Sequence, residues 1–145
     1  MATKTFSDLS PEHRQLLKDH HFAMLTTVRP DGLLSTNPVG FVFDGSSLKV
    51  STLKSRMKFS NLQADPRITV CVQSFSNPML YVEIRGRAQL HDDPDRAFFN
   101  TQFRDGTGED PPENMDAPGA QRVVIEVMPE QISTPQLYGG RFDKE

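Results

Sequence analysis

The chain has a single cysteine, Cys71, in 145 residues and no tryptophan. One cysteine allows no internal disulfide, so a reducing cytoplasm is the expected compartment. Cys71 lies within an apolar strand pattern and reads as a packing residue. No apolar run approaches the roughly 20 residues of a bilayer span, and the opening M-A-T-K-T-F-S-D-L-S lacks the apolar core of a secretion signal. Positive charge is not in excess: 16 Lys and Arg face 19 Asp and Glu, a net charge of −3. That balance argues against a general nucleic-acid binder, which needs a basic face. With two tyrosines and no tryptophan, the stacking platform of a single-strand binder is also missing. There is no C-x-x-C, no H-E-x-x-H and no G-x-S-x-G, which leaves metal and nucleophile-elbow chemistry without an anchor. His20 and His21 are adjacent and are expected on opposite sides of a strand, so no metal site is expected. No acid/base dyad stands out either. Glu83 and Glu126 fall mid-strand on polar faces and are expected to pair with Arg85, Arg87 or Arg122. An enzyme of this kind would carry its hard chemistry on a bound cofactor.

With 24% charged and 36% hydrophobic residues, the chain reads as one soluble globular domain, 1–145, long enough for one core. Ser10-Pro11-Glu12 starts a helix, Ser as N-cap and Pro at the first helical position, which runs to about Asp19 and completes an N-terminal helix region over 1–20. His21 to Val28 reads as a largely buried strand and Arg29 to Gly32 as a tight turn. A second strand spans Leu33 to Phe43, with an edge or bulge at Pro38. Asp44-Gly45 turns into a strand over Leu48 to Leu53. A helix from Ser55 to about Ala64 stops ahead of Asp65-Pro66, because the residue before a proline resists helical angles. Ile68, Val70 and Val72 alternate with polar partners. Leu80 to Leu90 alternates strictly and gives the cleanest strand signal. Asp93-Pro94 opens a helix to about Arg104, with Phe99 and Phe103 one turn apart on one face. Residues 105–120, rich in Gly, Pro and acid, read as a long exposed loop. Arg122 to Val127 is a last strand, and a frayed tail is expected from Gly139. Six short strands joined mostly by turns, with about three peripheral helices, describe a mainly-β or α+β fold: a small antiparallel split barrel rather than a doubly wound sheet.

The passage Ser51 to Lys58, S-T-L-K-S-R-M-K, concentrates the chemistry. A strand with Leu48, Val50 and Thr52 on one face runs into a helix start. There, unpartnered N–H groups and the helix dipole favour an anion. Arg56 and Lys58, with the hydroxyls of Ser51 and Thr52 just before them, complete a site suited to a phosphate. Two solvated cations on a surface helix are the plainer alternative.

H-F-A-M-L-T-T-V-R-P-D-G, N-P-V-G-F-V-F-D and S-T-L-K-S-R-M-K-F-S-N-L-Q-A-D-P-R together resemble the pyridoxamine 5′-phosphate oxidase-like split-barrel superfamily. More narrowly, they resemble its short actinobacterial branch that uses the deazaflavin coenzyme F-420. The likeness covers about His21 to Leu90, and R-V-V-I-E-V is similar to that branch's last strand. The resemblance implies that Ser51 and Thr52 approach the cofactor ring and phosphate while Arg56 and Lys58 hold the phosphate. It implies that the strand holding Asn37, Val39 and Gly40 presents backbone groups to the ring, and that the Ser74–Asn77 loop, with Ser76 and Asn77, reaches the site from a second subunit of a homodimer. Taken alone, Asn37-Pro38 reads as an ordinary bulge and Ser76-Asn77-Pro78 as an ordinary turn. Oxidases of pyridoxamine phosphate are longer and carry a C-terminal Arg/His segment; the L-Y-G-G-R-F-D-K-E ending here makes a vitamin B6 substrate unexpected. Lys49, Lys54 and Arg14 are either solvated charges or contacts for a polyglutamate tail.

The function implied is hydride transfer between coenzyme F-420 and a conjugated or unsaturated small molecule such as a bilin, a quinone or an unsaturated lipid. Two alternatives remain at this point. One is an FMN-dependent oxidase or flavin reductase of the pyridoxamine 5′-phosphate oxidase type; the other is a non-catalytic cofactor- or haem-binding split barrel.

Overall fold

The strict alternation along Leu80–Leu90 becomes the spine of the sheet. The computed structural model describes residues 5–141. Its strands are β1 (Phe22–Val28), β2 (Leu34–Gly40), β3 (Val42–Phe43), β4 (Leu48–Leu53), β5 (Arg67–Gln73), β6 (Tyr81–Asp92) and β7 (Arg122–Ser133), and its helices are α1 (Pro11–Asp19), α2 (Met57–Ala64) and α3 (Ala97–Thr107). All seven strands join one sheet in the order β2-β1-β5-β6-β7-β4-β3, every pair antiparallel. The near half of β6 is flanked by both β5 and β7, while its far half, Ala88 to Asp92, pairs with β7 alone. The terminal strands β2 and β3 are consecutive in the chain, so the sheet curls until its edges meet, and β2 comes against β4. This is the mainly-β split barrel with three helices.

Seven strands rather than six follow from one residue. The stretch 33–43 divides at Phe41, whose N–H bonds to the His21 carbonyl at 2.9 Å and whose ring is buried. Up to Gly40 the chain pairs with β1; from Val42 it pairs with β4. Pro38 lies on the edge strand opposite Met24 in an uninterrupted ladder, so of the edge and the bulge it is the edge that holds.

Leu25, Leu48, Val50, Val70, Val82, Ile84 and Ile125 form the fully buried interior, closed by Phe6, Leu9, Leu16 and Leu17 from the N-terminal segment. Each such side chain contributes about 1.5–3 kcal/mol. α1 begins as its sequence demands: Ser10 Oγ accepts from the His13 N–H and Pro11 opens the helix. His20 is the C-cap of α1, and the strand starts only at Phe22, so the two histidines do not straddle a strand. The His20 ring donates from Nδ1 to the Leu16 carbonyl (3.0 Å), and its Nε2 accepts from the Phe75 N–H (3.3 Å). α2 begins two residues later than expected, with Arg56 as N-cap.

α3 begins at Ala97 rather than near Asp93, because Asp95 and Arg96 adopt left-handed angles (φ 61° and 56°) in an intervening turn. Such angles cost roughly 1–2 kcal/mol per residue. Asp93 still caps the helix, its carboxylate accepting from the Phe98 and Phe99 N–H groups at 2.9 and 3.0 Å. α3 takes in residues to Thr107 that read as loop, and Gly108 ends it at φ 79°. The expected frayed tail falls partly on residues 142–145, outside the described range; Leu137–Gly140 forms a short 3-10 turn. No described helix is long and apolar enough to cross a membrane.

β7 continues six residues beyond the expected Val127. Pro129 and Glu130 break the alternation, and the strand absorbs them as a bulge: Gly86 pairs with Pro129 and Arg85 with Gln131. Gly86 is essential to this geometry. A Cβ there would lie 2.0 Å from the Met128 carbonyl oxygen, closer than any backbone can tolerate. Gly86→Ala is expected to lower stability by roughly 3 kcal/mol or more, read as a fall in the urea midpoint. Gly106→Ala in α3, where an added Cβ meets nothing within 4 Å, should raise stability by about 0.5–1 kcal/mol.

Candidate functional site

β4 alternates cleanly. Leu48, Val50 and Thr52 face the core; Lys49, Ser51 and Leu53 face outward. The Thr52 hydroxyl is therefore buried on the side away from Ser51, and the two neighbouring hydroxyls do not share a face. Past Leu53 the chain turns, with Arg56 N–H bonded to the Leu53 carbonyl at 3.0 Å, and enters α2 with no side-chain cap. Arg56 is exposed and Lys58 half-buried. Burial, and then the neighbouring Arg56 charge, push the Lys58 ammonium below its ordinary value. Among the described residues neither cation has an ion-pair partner. Lys54 differs: it pairs with Asp92 at 2.8 Å. Arg14 is spent on the Phe6 and Gly45 carbonyls. α2 is pinned to β1 by the Asn61 amide donating to Thr27 Oγ1 at 3.1 Å.

A cleft of about 590 Å³ opens beside this corner. Ser51 and Gly40 line it, together with His21, Phe22 and Phe41 and, from α3, Phe99, Gln102 and Phe103. Its lining is rich in aromatics, and its polar members include Ser51, Gln102, Thr107, Lys18 and Asp105. Of the residues singled out in the sequence, the cleft unites Ser51 and Gly40. Val39 is a core residue, and Asn37 is half-buried opposite Leu25. Arg56 and Lys58 stand outside the cleft lining. Ser76 and Asn77 belong to the β5–β6 turn, where Ser74 Oγ accepts from the Asn77 N–H at 3.0 Å and Asn77 Oδ1 from the Met79 N–H at 3.2 Å; within one chain they do not join the cleft.

Glu83 pairs with Arg85 as expected. Glu126 does not pair with an arginine; its partner is His91 at 3.0 Å, because the register sets Gln89 and Lys49 at its sides and His91 one step along the same face. Cys71 lies half-buried on the outer face, where burial raises its thiol.

The feature least visible in the sequence involves the 105–120 loop. It is largely exposed, yet Asp116 is not: its side chain is 9% accessible and is gripped by Arg122 at 2.8 and 2.7 Å, with Arg96 at 3.4 Å. The Arg122 guanidinium lies 3.7 Å above the Phe99 ring centre, and its third arm donates to Ser51 Oγ at 3.4 Å. These charge-assisted bonds, chiefly from Arg122, hold the Asp116 carboxyl below its ordinary 3.8. The Phe99/Phe103 spacing was a usable signal for the cleft wall. Nothing in the order of residues linked Asp116 to Arg122.

A depressed carboxylate stabilises the fold above its unfolded-state value, and that contribution is lost as pH falls through the folded one. Asp116→Asn should therefore cost stability at pH 7, and the gap to the parent chain should close below pH 3.8, the unperturbed value. Urea unfolding at a series of pH values reads both curves.

Comparison with known proteins matches these features to a family. Residues 9–135 match the pyridoxamine 5′-phosphate oxidase family. An F-420H(2)-dependent biliverdin reductase from Mycobacterium tuberculosis (strain CDC 1551 / Oshkosh) is 30% identical over 128 residues, 88% of this chain and 89% of that one. A solved structure described as an F-420 reductase superposes with TM-score 0.75 at 32% identity, covering 86% of this chain and 98% of that one. A haem-binding protein from Mycobacterium smegmatis shares the fold at TM-score 0.64 and 16% identity, over 90% of this chain and 56% of that one. The chain belongs to the pyridoxamine 5′-phosphate oxidase family.

Proposed function

We propose that this single-domain chain is an oxidoreductase that holds coenzyme F-420 and delivers its reducing power to a conjugated small molecule, a bilin foremost. Two neighbouring cations without a counter-charge among the described residues, one half-buried at a helix start, carry this proposal. They fit the phosphodiester of coenzyme F-420, whose charge would offset both the repulsion between them and the burial of Lys58. Likeness over nearly the full length to an F-420H(2)-dependent biliverdin reductase supports the choice of cofactor and of a bilin acceptor.

When bound, the deazaflavin supplies a hydride, and the protein's own residues do the rest. Arg56 and Lys58 anchor the phosphate. Ser51 and the backbone at Gly40 face the ring system, and Phe99, Phe103 and Phe41 exclude water from the cleft. Asn37, Val39 and Thr52 contribute through the strands that carry them. Phe22, Met24 and Leu34 stand exposed on β1 and β2, and Phe75 is 81% accessible. That apolar surface favours a homodimer in which Ser76 and Asn77 approach the partner's cofactor. FMN is the second reading, favoured by the family match, since its phosphate suits the same two cations.

Fluorescence titration with coenzyme F-420 and with FMN tests this. Lys58→Gln should weaken coenzyme F-420 binding roughly 10- to 100-fold, the equivalent of a lost charged hydrogen bond. Its thermal midpoint without cofactor should be unchanged or higher, because a half-buried like charge has gone. FMN retained through purification without coenzyme F-420 binding would replace the first reading with the second. Failure to bind either would overturn both.

A further inference from the structure

We infer that Arg122 is a positioning residue of the cleft: clamped between Asp116 and Phe99, it fixes the Ser51 hydroxyl as a hydrogen-bond donor aimed at the ligand. This rests on the proposal that the cleft receives the cofactor ring or its acceptor.

The inference follows from counting donors and acceptors. Arginine offers only donors. Its Nε and Nη2 are committed to the two Asp116 oxygens, which leaves Nη1 toward Ser51 Oγ. Ser51 Oγ must therefore accept from Arg122. Its own proton has no acceptor among the described residues, and Ser51 lines the cleft. The proton points to whatever occupies that space. A ligand with a carbonyl oxygen or ring nitrogen at its rim is matched to that proton, with one of the two Oγ lone pairs already taken by Arg122. The aromatic lining adds the other half of the description, a flat conjugated body.

The clamp is rigid for reasons independent of any ligand. Arg122 is stacked 3.7 Å over Phe99, and its side chain is 11% accessible against 9% for Asp116. Arg96, held in a left-handed conformation, reaches the same carboxylate. Asp116 belongs to the long loop and Phe99 to α3, so the clamp joins the loop, the cleft wall and β4 through one guanidinium. Lysine cannot replace it, because an ammonium is a point donor that neither forks to a carboxylate nor stacks on a ring.

A double-mutant cycle separates this role from a merely structural one. Coenzyme F-420 affinity is measured by fluorescence for the parent chain, Ser51→Ala, Asp116→Asn and their combination, with amide hydrogen exchange over residues 108–121 recorded for each. Asp116→Asn should weaken binding by about 3- to 10-fold when Ser51 is present and less than about 2-fold when it is alanine, a coupling typical of groups in one hydrogen-bond network. Exchange over 108–121 should rise equally in both backgrounds, since the loop is loosened either way. Equal loss of affinity in both backgrounds, or none in either, overturns the inference while leaving the cofactor proposal intact if the parent chain binds and Lys58→Gln binds more weakly. If the parent chain binds neither coenzyme F-420 nor FMN, both fall. Should Asp116→Asn fail to fold, Arg122→Lys carries the same cycle.

Discussion

Two positive charges separated by one residue, with no acid paired to either among the described residues, set the terms for this molecule. The β4-to-α2 corner is built so that the fold bears a cost: Arg56 repels Lys58, and Lys58 has lost part of its water. Most other cations of the chain are paired, although Lys18 and Lys49 also lack a carboxylate partner among the described residues. Lys54, Arg67, Arg85, Arg87, Arg96, Arg104 and Arg122 each meet a carboxylate. Repulsion and desolvation at one corner are both relieved by an incoming anion, which is why the proposed phosphate site falls there. The core makes the expense bearable, since the interior of β1, β4, β5, β6 and β7 is almost wholly aliphatic, with Thr27 and Thr52 as its buried polar members.

Most of the fold was legible because strands with one wet face write their period into the sequence. Leu80–Leu90, Ile68–Val72 and Leu48–Leu53 all fall where their alternation puts them. Ser10-Pro11 marked the first helix to the residue. Departures occur where a tertiary contact overrides a local signal. Phe41 turns one strand into two because its ring belongs to the core and its N–H to His21. The bulge at Glu130 lets β7 run on past a proline that locally reads as a stop. Left-handed Asp95 and Arg96 delay α3, and no residue type there announces positive φ.

The site divides in the same way. The position of its cation pair was readable, because Arg56 and Lys58 fall at a strand-to-helix junction that the alternation of β4 already marks. Its cleft was half-readable, through Phe99 and Phe103. The Asp116–Arg122 grip was not, since an aspartate in a Gly- and Pro-rich loop looks like every other solvated acid until the fold closes over it. Strand parity also corrects a plausible pairing: Ser51 and Thr52 are neighbours in the chain but occupy opposite faces.

The curl of the sheet carries a consequence for how copies of this molecule can meet. Since β2 and β3 are joined through Phe41, the rim left unpaired is short, and along β2 it is interrupted by Pro38, which has no N–H to offer. Strand-by-strand extension into a continuous intermolecular ribbon is thereby blocked at the backbone.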